Sequence, residues 1–304
     1  MPKILFAVDG SEASLRAARG LAELLSWWKA TEVEVLNVQP KPFILNELVP
    51  HLLRERAESR AREEGERALA MADTLLRDVA TRCATTVLFG DAATAIAHAA
   101  VTLDCAIIAM GSHGAGAVES FVTGSVTTKV IHVSSRPVLV IPSSQPRPRS
   151  AYGPPHRAAR VLVPVDGSAG ATAALQEVVR SASWFRDVPE VHLLAVYEGT
   201  ALDVEIAAMV SAEALREHQQ KRFEAALLPA RGALAGTAFE VIEHTAIGPP
   251  AEEIRATVEA HRCDLVCLGT RGMGAVSSLI LGSTAVKVLR AVDVPVLVVP
   301  PAAP

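Results

Sequence analysis

The sequence predicts an α/β fold made of two tandem doubly wound domains, each an open five-stranded parallel sheet with helices on both faces. Three observations lead to this prediction. The chain has 304 residues, and domains average roughly 150 residues, so the length suits about two of them. Its two halves repeat each other. Within each half, short apolar segments alternate with longer segments of helical spacing, as in parallel α/β sheets.

The repeat covers nearly the whole chain. Residues 5–11 (LFAVDGS) return as residues 162–168 (LVPVDGS), and residues 111–118 (GSHGAGAV) return as residues 269–276 (GTRGMGAV). The offset is 157 residues for the first pair and 158 for the second, so the halves differ little in length. We predict a first domain at 1–143, a proline-rich and semi-rigid linker at 144–158, and a second domain at 159–304.

Each half contains five predicted strands joined by helices. Strands that are apolar along their whole length are typical of a parallel sheet covered on both faces. The second half repeats the element order of the first. In the first half the predicted strands are 3–8, 33–38, 85–89, 105–110 and 138–141, and the predicted helices are 11–27, 52–80, 92–101 and 125–134.

A short polar segment follows the first strand of each half. In open α/β sheets, ligands bind beyond the carboxyl ends of the strands, at the point where the strand order reverses. A carboxylate there could cap the following helix, or it could accept a hydrogen bond from a ligand, and both interpretations stay open. The segments are Asp9, Gly10 and Ser11 in the first half, and Asp166, Gly167 and Ser168 in the second.

A glycine-rich loop follows the fourth strand of each half. Glycines allow backbone N–H groups to approach an anion closely, and a helix N-terminus favours a phosphate. Two copies with identical spacing argue against incidental glycines. The chain has no G-x-x-x-x-G-K-[ST] motif and no G-x-G-x-x-G after the first strand. The loops run Gly111-x2-Gly114-x9-Gly124-Ser125 and Gly269-x2-Gly272-x9-Gly282-Ser283.

Composition narrows the class of partner. The formal net charge of −4 favours neither nucleic acid nor an anionic membrane. No apolar run reaches the roughly 18 residues of a membrane span, and the N-terminal apolar stretch ends at Asp9, so we expect a cytoplasmic protein without a signal peptide. We predict no catalytic residues and no metal site, because the histidines are scattered and form no constellation of metal ligands: His98, His132, His192, His244 and His261.

The pattern G-x2-G-x9-G-[ST], with an Asp after the first strand, resembles the ATP-binding class of universal stress proteins. The resemblance implies ATP as the ligand, with Mg²⁺ accompanying the nucleotide. It implies that Asp9 and Asp166 contact the adenosine moiety and that the backbone at Val38 and Val196 faces the adenine. It assigns the ribose and phosphates to Gly111, His113, Gly114, Gly124, Ser125 and Val126 in the first half, and to Gly269, Arg271, Gly272, Gly282, Ser283 and Thr284 in the second.

The resemblance also carries expectations about assembly. Family members dimerise, often through the last strand, so the two halves are expected to form a pseudo-dimer through residues 138–141 and 296–299. Whether two chains form a homodimer stays open. The two sites are expected to differ in affinity, because His113 in the first half is replaced by Arg271, which is always charged and a better phosphate clamp.

Three functions are compatible with these features. The leading one is an ATP-dependent regulator of a stress response, whose protein partners the sequence does not identify. The second is a slow ATPase or nucleotidyl transferase, since phosphoryl transfer depends mostly on positioning and charge stabilisation. The third is a protein-interaction module in which nucleotide binding is vestigial.

Overall fold

The computed structural model describes residues 1–29, 31–41, 51–112, 124–142, 158–199, 211–270 and 281–301, with the side chains of residues 51–54 excepted. The chain divides into two compact units, Met1–Pro146 and Arg147–Pro304. Each unit alternates strands and helices, as the sequence predicts. His113, Gly114, Arg271 and Gly272 lie outside the described residues, so their assigned roles stay predictions.

The first unit contains five parallel strands and four helices. Its strands are β1 (Lys3–Ala7), β2 (Glu32–Gln39), β3 (Arg82–Phe89), β4 (Ile107–Gly111) and β5 (Val138–Ile141), and its helices are α1 (Glu12–Leu25), α2 (His51–Leu76), α3 (Ala92–Thr102) and α4 (Ser125–Val133). The strand order is β3-β2-β1-β4-β5. Helices α1 and α2 contact each other, as do α3 and α4. The order of the strands reverses between β1 and β4.

The second unit repeats this arrangement. Its strands are β6 (Arg160–Val165), β7 (Glu190–Tyr197), β8 (Glu240–Ile247), β9 (Leu265–Gly269) and β10 (Val296–Val299), and its helices are α5 (Ala169–Ser181), α6 (Ala212–Leu234), α7 (Pro250–His261) and α8 (Ser283–Ala291). A 3₁₀ turn at Ala182–Trp184 follows α5. The strand order is β8-β7-β6-β9-β10, all pairs being parallel. The α/β fold class predicted from the sequence is confirmed.

The central strands form the core of each unit. All five residues of β4 and all four of β5 and β10 are buried, as expected for strands covered on both faces. Strand β8 instead alternates between exposed and half-buried residues, because it lies at the edge of its sheet. Cys105, Cys263 and Cys267 are buried within this core.

Strand β4 begins later than the sequence predicts. The predicted strand starts at residue 105, but Cys105 lies in the turn that follows α3, where its N–H donates to the Ala100 carbonyl within that helix (2.8 Å). Asp104 has a φ of 50°, which turns the chain out of the helix before the strand starts. Arg262, with a φ of 51°, makes the same turn between α7 and β9. No helix among the described residues is long and apolar enough to cross a membrane.

Candidate functional site

The segment after the first strand forms the same tight turn in both units. Gly10 and Gly167 have φ values of 78° and 79°, a left-handed conformation that favours glycine. The Asp9 Oδ1 atom accepts hydrogen bonds from the Ser11 N–H (3.0 Å) and from the Ser11 hydroxyl (2.6 Å). Asp166 Oδ1 accepts from the Ser168 N–H (2.9 Å). The turn therefore holds an exposed carboxylate beyond the carboxyl end of each first strand.

The serine of this turn caps the helix that follows. Ser11 Oγ accepts from the Ser14 N–H (3.1 Å) at the start of α1, and Ser168 Oγ accepts from the Ala171 N–H (3.2 Å) at the start of α5. The helix-capping interpretation of this segment is thus confirmed for the serines. The carboxylates orient the serines, which is compatible with a second role toward a ligand.

Hydrogen bonds at both ends close each glycine-rich loop. In the first unit, the Ser112 N–H donates to the Ile141 carbonyl (2.8 Å), and the Ser112 carbonyl accepts from the Gly124 N–H (2.7 Å). In the second unit, Thr270 makes the equivalent bonds to Val299 (3.0 Å) and Gly282 (2.9 Å). These bonds fix the starts of α4 and α8 beside the carboxyl ends of β4 and β9.

The N-termini of α4 and α8 differ from those of most other described helices. Gly124 and Gly282 occupy the N-cap positions, and neither helix receives a side-chain cap from the described residues. By contrast, Ser11, Asp91, Ser168 and Ser211 cap α1, α3, α5 and α6. The first N–H groups of a helix have no partner within the helix, so an uncapped N-terminus with exposed residues can bind an anion.

The first residues of these two helices are accessible. Ser125, Val126, Ser283 and Thr284 are all exposed. Within the same first turn of α4, Thr127 is buried, and its hydroxyl donates to the Gly111 carbonyl (2.9 Å). This bond ties the start of α4 to the end of β4. The second unit has Ala285 at the matching place, so its helix lacks that hydroxyl.

The second strand of each unit completes the candidate site. Val38 and Val196 are half-buried near the carboxyl ends of β2 and β7. The Asn37 side chain donates to the Val8 carbonyl (2.8 Å), which joins the end of β2 to the end of β1. Because β1 lies between β2 and β4, the ends of these neighbouring strands form one edge. Asp9, Val38 and Gly111 all lie along that edge.

Packing between two glycines brings the parts of the second site together. A Cβ atom on Gly269, at the end of β9, would lie 2.4 Å from the Gly170 carbonyl oxygen in the first turn of α5. Only a glycine allows this approach between the end of the fourth strand and the helix that follows Asp166. The contact sets the separation between the aspartate turn and the loop of the second unit.

The prediction that the histidines form no constellation of metal ligands is wrong for three of them. His192, His244 and His261 each bring one ring nitrogen within 4.8 Å of the other two. Burial, with smaller contributions from His261 and His192, lowers the pKa of His244 to about 4. Burial also lowers the pKa of His192, although the neighbouring Glu190 opposes that shift. Neutral imidazole is the form that binds metal ions.

One feature of the sequence could have indicated this cluster: two strand segments of the second half carry a histidine where the first half carries none. His192 and His244 lie in segments of strand-like pattern, and the matching residues of the first half are Glu34 and Thr86. The three rings meet because of the register between β7 and β8 and because α7 ends at His261. The spacing of residues in the sequence does not show either feature.

Comparisons with known proteins agree with the fold. The model of the universal stress protein family matches residues 1–142 and again 158–300. A universal stress protein of Methanocaldococcus jannaschii is 28% identical over 141 residues, which cover 46% of this chain and 81% of that protein. One from Thermus aquaticus is 48% identical over 52 residues, covering 17% of this chain and 38% of that protein.

Solved structures extend the similarity across both units. The crystal structure of a universal stress protein from Archaeoglobus fulgidus DSM 4304 is 25% identical, with a TM-score of 0.63, over 98% of this chain and 96% of that one. A protein of unknown function from Pseudomonas aeruginosa PAO1 shares the fold, at 16% identity and a TM-score of 0.55 over 99% and 93% of the two chains. The duplicated fold and the two family matches together show that this chain belongs to the universal stress protein family, as a tandem member with two copies of its domain.

Proposed function

We propose that each unit binds one ATP molecule and that nucleotide occupancy regulates the protein within a stress response. The observation that carries this proposal is the pair of uncapped, glycine-started helices, α4 and α8, fixed beside an aspartate-bearing turn. An anion at such a helix start gains from the N–H groups and from the helix dipole. The triphosphate would occupy this place in each unit, with Mg²⁺ bound to the phosphates.

The adenosine part of the ligand would lie along the same edge of the sheet. Asp9 and Asp166 would accept hydrogen bonds from its polar groups, and the backbone near Val38 and Val196 would face the adenine. The turns that carry the two aspartates are nearly identical, with φ values of 78° and 79° at their glycines. This likeness supports a site of the same kind in each unit, whereas the replacement of His113 by Arg271 is expected to make the two affinities differ.

The phosphate position can be tested without disturbing the fold. We expect Ser125→Glu and Ser283→Glu to place a carboxylate at the first residue of α4 and α8. An acidic residue there complements the helix dipole, so the helices should stay folded, whereas a bound phosphate would be repelled. We expect each substitution to weaken ATP binding to its own unit by at least about tenfold, equivalent to ~1.4 kcal/mol.

The matched control is Ala212→Glu, which makes a similar charge change at the exposed first residue of α6. It should leave ATP binding unchanged. Calorimetric titration of ATP with Mg²⁺ into each variant gives both affinity and stoichiometry. Unchanged binding in the Ser125→Glu, Ser283→Glu double variant would overturn the proposed phosphate site.

The same samples separate a regulator from an enzyme. A regulator should hold ATP with little release of ADP, because its output is a change of conformation or partner. Metal-dependent turnover that disappears in Asp9→Asn and Asp166→Asn would instead support the ATPase hypothesis. Asparagine keeps an oxygen that can accept the bonds from Ser11 and Ser168, so these variants test the charge and not the turn.

A further inference from the structure

Three histidines converge on one face of the second sheet, away from the candidate nucleotide site. Strand β7 pairs with β8 so that His192 is opposite Ile242 and Leu194 is opposite His244. Residues two apart on a strand point to the same face, so His192 and His244 are diagonal neighbours on that face. His261 is the last residue of α7, a helix that contacts β7.

The histidine cluster lies far from the carboxyl ends of the strands, where the nucleotide is proposed to bind. His192 is the third residue of β7, whereas Val196 lies four residues further along, about 13 Å away at the rise of a strand. Helix α7 starts after the carboxyl end of β8 and finishes before the amino end of β9. The cluster therefore lies toward the amino ends of the strands.

The distances between the rings suit a shared metal ion. His192 Nδ1 lies 2.9 Å from His244 Nε2, and the ring centroids of His244 and His261 are 4.2 Å apart. One nitrogen of each ring lies within 4.8 Å of the other two. Tetrahedral zinc, with Zn–N bonds of about 2.0–2.1 Å, places its ligand nitrogens about 3.4 Å apart. This separation falls between the 2.9 Å of the His192–His244 nitrogen pair and the 4.8 Å limit for all three rings.

Neighbouring groups orient the most buried ring. Glu190 Oε1 lies 2.5 Å from His192 Nε2, and Arg160 Nε lies 3.1 Å from the same carboxylate oxygen. A carboxylate on one imidazole nitrogen assigns the proton to that nitrogen and leaves the lone pair on the other. The lone pair of Nδ1 thus faces the other two histidines, in the carboxylate–histidine arrangement common around zinc.

The same arginine also fixes the end of α7. The Arg160 Nη1 atom donates to the His261 carbonyl (2.9 Å), and the Arg160 N–H donates to Asp264 Oδ2 (2.8 Å). One residue therefore links the support of His192 to the backbone of His261. Arg160, which is not itself part of the cluster, thereby fixes the position of His192 relative to His261.

The first unit provides an internal comparison. At the offset of 158, its residues matching His192, His244 and His261 are Glu34, Thr86 and Leu103. The Thr86 hydroxyl donates to Glu34 (2.7 Å), and Lys3 lies 3.6 Å from the same carboxylate. The fold forms without histidines at these positions, so the three imidazoles are a property of the second unit alone.

We propose that His192, His244 and His261 form a zinc site in the second unit, with three imidazole ligands and the fourth position left to water. Three protein ligands with one open position is a common zinc arrangement. The ion would join β7, the edge strand β8 and the end of α7. The site uses none of the residues of the proposed ATP site, so each proposal can fail without the other.

The experiment is a titration of Zn²⁺ into metal-free, full-length protein in competition with a chromophoric zinc indicator. We expect one Zn²⁺ per chain and a rise in melting temperature with bound metal. We expect His244→Ala and His261→Ala to lower the affinity by at least a hundredfold. Both residues are half-buried, so these changes should perturb packing less than a change at His192, and circular dichroism checks that each variant is folded.

Two further variants separate ligation from a packing role. His98→Ala removes an exposed histidine of the first unit and should leave zinc binding unchanged. Glu190→Gln keeps all three ligands but removes the carboxylate charge, and we expect about tenfold weaker zinc binding, at the low end for a group that supports a ligand. The absence of stoichiometric binding in the unchanged protein, or binding that persists in both His244→Ala and His261→Ala, would overturn the proposal.

Discussion

Substitution of Gly269 by alanine tests how closely the second site is packed. The new Cβ would lie 2.4 Å from the Gly170 oxygen, 2.5 Å from its carbonyl carbon and 2.7 Å from its Cα. All three are backbone atoms, so no side chain can rotate away. Favourable carbon contacts are at about 3.5–4.0 Å, so β9 and α5 must separate by about 1 Å.

The separation should affect both stability and binding. Overpacking of this kind costs about 1–3 kcal/mol, and we expect a loss of that size in the free energy of unfolding of the second unit. Gly170 follows the turn that carries Asp166, so its displacement should also weaken ATP binding in the second unit. The first unit should keep its affinity.

The matched control is Gly232→Ala within α6. Beyond the neighbouring residues and the backbone of its own helix, nothing lies within 4 Å of a Cβ built on Gly232, and alanine favours a helix over glycine by roughly 0.5–1 kcal/mol. We therefore expect opposite signs for the two glycine-to-alanine changes in urea unfolding. Equal stability of Gly269→Ala and the unchanged protein would refute the reasoning about the contact, and retained binding in both units would refute its link to the site.

Three further predictions concern hydrogen bonds and thiols. Thr127→Val removes the hydroxyl bond to the Gly111 carbonyl, and we expect a loss of about 1 kcal/mol in urea unfolding of the first unit. Ser211→Ala removes the side-chain cap of α6 and should cost about 1 kcal/mol, measured in the same way for the second unit. Burial raises the pKa of Cys83 to about 12, with a further contribution from its hydrogen bond to Asp73, and burial raises the pKa of Cys105 to about 11, from a usual 9.0. At pH 8 reaction with iodoacetamide should therefore be slower in the folded than in the unfolded protein, by about a hundredfold for Cys105 and about a thousandfold for Cys83. Because the folded pKa values are the higher ones, the stability that these thiols contribute should be present below pH 9 and should fall as the pH rises from there toward 12. Equal alkylation rates in the two states would contradict this prediction.

The duplication, the parallel sheets and the order of the elements can be predicted from the sequence. The offset is nearly constant, 157 residues between Asp9 and Asp166 and 158 between Gly124 and Gly282, and it indicates a duplication. The apolar strands indicate a parallel sheet. The sequence predicts the elements in the right order, because each element depends on a local pattern of residues. Strand β3 is longer than predicted, starting at Arg82, since its first residues are held by pairing with Glu32 and Val33 rather than by their own propensity.

The features that sequence could not supply depend on contacts between distant segments. His192 and His244 are 52 residues apart and meet only because β7 and β8 pair in one particular register. Likewise, the approach of Gly269 to Gly170 requires α5 to lie directly on β9. A glycine in a turn can be interpreted from the sequence, but the close approach of Gly269 to Gly170 is visible only in the packed structure.

The stoichiometry of ATP binding tests the central proposal most directly. Calorimetric titration of ATP with Mg²⁺ into nucleotide-free protein should give two molecules per chain. At a free ATP concentration of about 100 times Kd, each bound site should stabilise the folded state by about 2.7 kcal/mol, so a thermal melt provides an independent check. A titration without measurable heat, together with an unchanged melting temperature, would contradict the proposed ATP sites.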